Sequence, residues 1–208
     1  MALLFAPSEC DPASAAESGR RNSNGETLLE IGSKLFPELT RAERALLEHA
    51  DVNNVGRGDY AGTTGNYESY HETYLKLPDD PSNVPKDAAK WDGQRQIRAS
   101  LIRWICVHPD AIRQIDPQWI EVLGAKIVGK LNLSLGRVPF AITLGRCSIP
   151  EVMDLSGAEI PPLDLGGSYT GPIHALGLEV TNSLTLGTDF HAKGIVNLAN
   201  ANLDFLVG

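Results

Sequence analysis

The chain has 208 residues, enough for one large domain or two modest ones with a sizeable core. Its formal charge is -8, from 18 Lys and Arg against 26 Asp and Glu. An acidic chain lacks the positive charge that neutralises phosphates, so DNA and RNA are not expected partners.

Three cysteines, Cys10, Cys106 and Cys147, lie far apart and indicate no disulfide framework. Cys106 lies in an apolar run and Cys147 lies between repeat units, so both are expected to be small core residues. No stretch is long enough to cross a bilayer as an apolar helix. We therefore expect a cytoplasmic protein in a reducing compartment.

Residues 1–25 are predicted to be disordered. The first six residues are apolar, but the stretch is short and no basic segment precedes it, so it does not match a secretory signal. Residues 7–25 are rich in Ser, Pro, Ala, Asn and charge, without an apolar period.

Residues 26–119 are predicted to form a helical region with one long loop. A helix is expected over 26–36, and a second begins at Thr40, where Thr40 and Glu43 have capping-box spacing. Residues 51–83 are polar and Gly-rich, which predicts a long exposed loop with a short helix around 65–75.

The strongest helical pattern spans 86–107. Ile97, Leu101 and Ile105 form one apolar stripe, and His108-Pro109 ends the helix because proline disfavours a helical residue before it. A solenoid needs its ends covered, and this helix is well placed to cap the first coil.

Residues 120–208 repeat a pair of apolar residues around one polar residue, about every eleven positions. The pairs are Ile120/Val122, Leu131/Leu133, Ile142/Leu144, Met153/Leu155, Leu163/Leu165, Ile173/Ala175, Leu184/Leu186 and Val196/Leu198. In a strand, successive side chains point to opposite faces, so the two apolar residues of each triplet would face one side and the polar residue the other. Self-similarity at a fixed period is typical of solenoids. We predict a mainly β fold: a right-handed, four-sided β-helix of about four coils behind an α-helical N-terminal cap.

Five prolines are expected at the corners of the coils, where a missing backbone donor does least harm. They are Pro139, Pro150, Pro161, Pro162 and Pro172. The last residues, Leu203–Gly208, stop within a further repeat unit. We expect either that the repeats continue in a longer protein or that this end pairs with a second copy by end-to-end self-association.

The repeats resemble pentapeptide-repeat β-helices, most clearly at Ala201-Asn-Leu-Asp-Phe205. A resemblance covering residues 36–208 is to a family of uncharacterised bacterial proteins. It is carried by the run from Trp91 to Trp104 and by the run from Gly124 to Leu133. The resemblance implies a helical segment leading into repeats, and in some members transmembrane helices that would lie beyond residue 208. Some members are labelled membrane-associated oxidoreductases, so the resemblance implies a position at the inner face of a membrane.

Three short motifs have simpler explanations than a site. The stretch from Gly124 to Lys130 begins like a phosphate-binding loop, but Leu131 stands where Ser or Thr should hold magnesium. Glu68-x-x-His71 lacks the second pair that a di-metal site needs, and Arg57-Gly-Asp59 is expected to be a turn. We therefore predict no metal, no cofactor and no catalytic residues.

The outward middle residues of the triplets form the one candidate recognition strip. We predict that they stack in a single column, either to keep the face soluble or to bind a partner. They are Asn132, Thr143, Asp154, Asp164, His174, Thr185 and Asn197.

The leading functional hypothesis is a non-enzymatic interaction or scaffold module that presents a β-helix face to an unknown protein partner. The alternative is a membrane-associated enzyme, such as an oxidoreductase, whose site lies in the 51–85 loop or beyond residue 208. DNA mimicry would need dense acidic stripes, whereas residues 123–208 hold 5 Lys and Arg against 7 Asp and Glu.

Overall fold

A computed structural model describes residues 25–51, 84–115, 119–187 and 189–208 of the chain. These residues form a parallel β-solenoid of about four turns, preceded by a small helical region. The fold class predicted from the sequence is thereby confirmed. The predicted disordered N-terminus and the predicted 65–75 helix lie outside the described residues.

The helical region begins with two capped helices, α1 (Leu28–Leu35) and α2 (Arg41–Ala50). Each begins with a capping box. A threonine side chain accepts from the backbone N–H of a glutamate three residues later, and the side chain of that glutamate accepts from the backbone N–H of the threonine. The threonines are Thr27 and Thr40. The start of α2 at Thr40 is therefore confirmed, whereas α1 begins two residues after the predicted start at residue 26. None of the helices in the described part of the chain is long and apolar enough to span a membrane.

The prediction of one long helix over 86–107 is wrong for the first half of that range. Two short 3-10 helices, Pro85–Lys90 and Gly93–Arg95, lead into a strand, β1 (Gln96–Arg98), and α3 (Ala99–Val107) begins only after it. β1 pairs in parallel with Lys126–Val128 of the first coil, and Ile97 is fully buried. Pairing with an otherwise open sheet edge outweighs the helical periodicity. A short helix, α4 (Pro109–Ile112), follows.

The solenoid strands are short, as expected for a chain that turns a corner every few residues. In the first two coils they are β2 (Trp119–Leu123), β3 (Lys126–Val128), β4 (Leu131–Asn132), β5 (Ala141–Gly145), β6 (Ser148–Ile149), β7 (Met153–Asp154) and β8 (Glu159–Ile160). They continue as β9 (Leu163–Asp164), β10 (Tyr169–Thr170), β11 (Ile173–His174), β12 (Glu179–Thr185), β13 (His191–Ala192), β14 (Val196–Asn197) and β15 (Asn202–Val207).

Each coil has four sides, numbered here in chain order. The first side contains β2, β5, β9, the end of β12 and the end of β15. The second contains β3, β6, β10 and β13, with β1 above β3. The third contains β4, β7, β11 and β14. The fourth contains residues 137–138, β8 and the starts of β12 and β15.

Aliphatic columns fill the inside of the coils, as predicted. Leu133, Leu144, Leu155 and Leu165 are each at most 2% exposed. A fully buried aliphatic side chain contributes about 1.5–3 kcal/mol, so the columns are the main source of stability. Cys147 is buried inside the coils and Cys106 is buried in α3, as expected, and burial raises the pKa of each thiol to about 12.

The corners are formed by residues that tolerate a tight bend. All five prolines named above lie outside the strands, as predicted. Gly124 and Gly129, which flank β3, both have positive φ, so the corners explain the two glycines of the apparent phosphate loop. At the corner within β12, the register shifts by one residue between Val180 and Ser183, and Asn182 takes a φ of 77°.

A buried ion pair joins α2 to β1, the strand that pairs with the first coil. Glu43, at the start of α2, is fully buried, and its carboxylate accepts from Arg98 Nε at 2.7 Å and from Arg98 Nη2 at 2.8 Å. The same carboxylate also accepts from the backbone N–H of Arg98 and of Thr40. Because every acceptor direction is used, the desolvation of the carboxylate is compensated.

We predict that Glu43→Ala lowers the free energy of unfolding by about 3 kcal/mol, because it leaves a guanidinium and two backbone donors without their acceptor. Asp87→Ala is the matched control, since it breaks the exposed Asp87–Lys90 pair, which contributes less than about 1 kcal/mol. Urea unfolding monitored by circular dichroism measures both. Equal losses of unfolding free energy in the two variants would show that the buried pair stabilises the fold no more than the exposed pair does.

Removal of two buried hydroxyls on the second side is predicted to have opposite effects on stability. Ser168 donates to the Leu144 carbonyl at 2.6 Å and accepts from Cys147 N at 2.8 Å, whereas the buried Thr170 hydroxyl has no partner among the described residues. We expect Thr170→Val to stabilise the fold by about 1 kcal/mol and Ser168→Ala to destabilise it by about 1–3 kcal/mol. The midpoints of urea unfolding measure both effects. Destabilisation by Thr170→Val would show that the Thr170 hydroxyl does have a hydrogen-bond partner in the folded protein.

Candidate functional site

The seven outward polar residues of the triplets form two columns, not the single column predicted from the sequence. The third side carries Asn132, Asp154, His174 and Asn197, in register from β4 to β14. The first side carries Thr143, Asp164 and Thr185. Successive triplets are half a coil apart, so each one lies on the opposite side from the one before it. The proposed recognition role of these residues stays a prediction.

Four of the seven side chains accept hydrogen bonds from their own corners. Each uses its Oδ1 to accept from the backbone N–H two residues ahead. These bonds join Asn132 to Ser134 at 2.9 Å, Asp154 to Ser156 at 3.3 Å, Asp164 to Gly166 at 2.7 Å and Asn197 to Ala199 at 3.0 Å. Such bonds stabilise turns, so these oxygens have a structural task. The Nδ2 groups of the two asparagines remain as outward donors.

Asp154 is also paired by charge. Its carboxylate lies 3.4 Å from Lys130 Nζ of the preceding coil. Burial raises the pKa of Asp154, but hydrogen bonds from Ser156 and the charge of Lys130 outweigh it, so the pKa lies below its ordinary value. His174, the next residue in the column, is exposed. Asp154 and Lys130 therefore neutralise each other.

The sequence analysis missed three exposed aliphatic side chains on or beside the third side. Leu135 is 86% exposed, Ile195 75% and Leu176 49%. Ile195 precedes the Asn197 position by two residues and Leu176 follows the His174 position by two, so both side chains belong to the outer surface. The sequence held a signal for Leu176, because the equivalent residues of the other coils are Ser134, Ser156 and Ala199. It held none for Ile195, because the equivalent residues include Val152 and Pro172.

Leu135 occupies a corner position with a left-handed backbone, at a φ of 56°. The equivalent residues of the other coils are Gly157, Gly177 and Asn200, which also have positive φ. A leucine there is strained because its Cβ crowds the following carbonyl. Its Cδ2 lies over Gly157, where an added Cβ would approach it to 2.9 Å.

The remaining candidate motifs add no assembled site. Within the described ranges, no group of three or more His, Cys, Asp or Glu side chains is placed to hold a metal ion. Cys10, Arg57-Gly-Asp59 and the Glu68/His71 pair lie outside those ranges. No protein family, curated protein or solved structure matches this chain.

Proposed function

We propose that this chain is a protein-interaction or scaffold module that docks a partner through the third side of its solenoid. The observation that carries the proposal is the exposed, strained leucine at position 135. A left-handed conformation costs a residue other than glycine about 1–2 kcal/mol, and an 86% exposed side chain recovers little of that by burial. Strained residues cluster at binding sites, where the strain is offset when a partner covers them.

Two further aliphatic residues extend the surface. With coils about 4.8 Å apart and strand residues about 3.3 Å apart, Ile195 and Leu176 are separated by about 14 Å across the third side. His174 and Asn197 lie between them and offer polar contacts. Apolar anchors around polar groups are the arrangement found at the centre of many protein interfaces.

Site-specific photo-crosslinking tests the proposal. A photoreactive residue is placed at Leu176 on the third side, and in a matched control at Thr181, an exposed residue on the fourth side. In cells of the source organism, Leu176 should yield a discrete protein adduct that Thr181 does not. Adducts that are the same at both positions, or absent from both, would refute docking through the third side.

We also predict that Leu135→Gly separates stability from binding. Removing the left-handed strain stabilises the folded state by about 1–2 kcal/mol, and the greater backbone entropy of glycine in the unfolded chain offsets about 0.5–1 kcal/mol of this. The free energy of unfolding should therefore rise by up to about 1 kcal/mol. The same substitution should weaken the Leu176 adduct, because it removes an apolar anchor. Gly157→Ala, at the equivalent corner of the next coil, is expected to destabilise the fold. Lower stability of Leu135→Gly would show that the leucine serves the fold.

A further inference from the structure

We infer that the docked segment is an acidic protein segment with aliphatic side chains, an inference that rests on the proposed docking through the third side. The lower half of this side consists of residues 171–177 and 193–200, from the third and fourth coils. These residues include no Asp or Glu, although the whole chain has a charge of -8. Their one permanently charged side chain is Lys193, which is exposed. It forms no ion pair with any described residue.

The polar groups here match a carboxylate. Lys193 supplies an ammonium group, and Asn197, whose Oδ1 is used by Ala199 N, has its Nδ2 left to donate. Ile195 lies between them in the chain and Leu176 lies on the far side of the patch. A segment with aliphatic residues about four positions apart in extended conformation would span the two anchors, since four residues cover about 13 Å. A carboxylate near one end would then reach Lys193.

Two of the other three sides of the solenoid disfavour such a segment. The fourth side carries Glu159, Glu179 and Asp204 with one cation, Arg137, which is already paired to Glu159. The first side carries Glu121 and Asp164. An acidic segment is repelled there. Salt screens charges beyond about 8 Å at physiological ionic strength, so local charges on the third side outweigh the net charge of the chain.

Peptide selection followed by charge reversal tests the inference. A random 12-residue peptide library displayed on phage is panned against the immobilised 208-residue chain, and the best peptide is labelled for fluorescence anisotropy. We expect enrichment of Asp or Glu together with Leu, Ile or Val. Lys193→Glu should weaken the labelled peptide at least about fivefold at low salt, and less at high salt. Arg146→Glu makes the same charge change at an exposed corner between the first and second sides and should alter affinity less than about twofold.

Two apolar variants complete the test, because Ile195→Ser and Leu176→Ser should each weaken the peptide at unchanged fold, as judged by circular dichroism. Enrichment of basic peptides, no enrichment, or equal effects of Lys193→Glu and Arg146→Glu would overturn the inference. So would binding to phosphatidylserine vesicles that Lys193→Glu abolishes, or a dimer in sedimentation that Ile195→Ser dissociates. If Leu176 yields an adduct but the selected peptides are basic, docking through the third side stands and only the acidic partner is refuted. If the selected peptides are acidic but no third-side variant weakens them, docking through the third side is refuted as well.

Discussion

The solenoid depends on closing the upper edge of its first coil. A parallel coil leaves a row of unpaired backbone groups and an open apolar interior at each end. At the N-terminal end, β1 pairs with β3, α3 packs over β4, and Ile97 is fully buried in register with Ile127 of the first coil. The ion pair between Glu43 and Arg98 holds α2 against β1. Arg95 adds a second connection, because its buried guanidinium donates to the carbonyl of Gly124 at the first corner.

The closing strand also shows where sequence reasoning succeeds and fails. The aliphatic pairs have a strict period, and their burial is decided by each coil's nearest neighbours, so the solenoid and its inward leucines could be predicted. Ile97 fits both a helical stripe and a strand. Its conformation is decided by Lys126–Val128, about thirty residues later, and a local pattern does not contain that information. The predicted helix was therefore too long at its N-terminal end.

The candidate site was predictable in composition but not in arrangement. The triplets revealed which residues point outward, yet they did not reveal that alternate triplets lie on opposite sides, because that depends on the number of triplets in one coil. The corner hydrogen bonds of Asn132 and Asp164 were likewise hidden, since an outward polar residue reads the same whether it binds a partner or its own backbone. Leu135 could have been noticed as a large residue where neighbouring coils have glycine.

The extra residue in β12 has a consequence for how the chain tolerates change. The one-residue shift between Val180 and Ser183 is absorbed at the corner, where Asn182 bulges outward and its N–H donates to Asp204 at 2.8 Å. The aliphatic columns on either side keep their register despite it. Additional residues at this corner would lengthen only an exposed loop, and loop length affects free energy weakly. It is a natural place to graft an epitope or a fluorescent label while leaving the stacked interior intact.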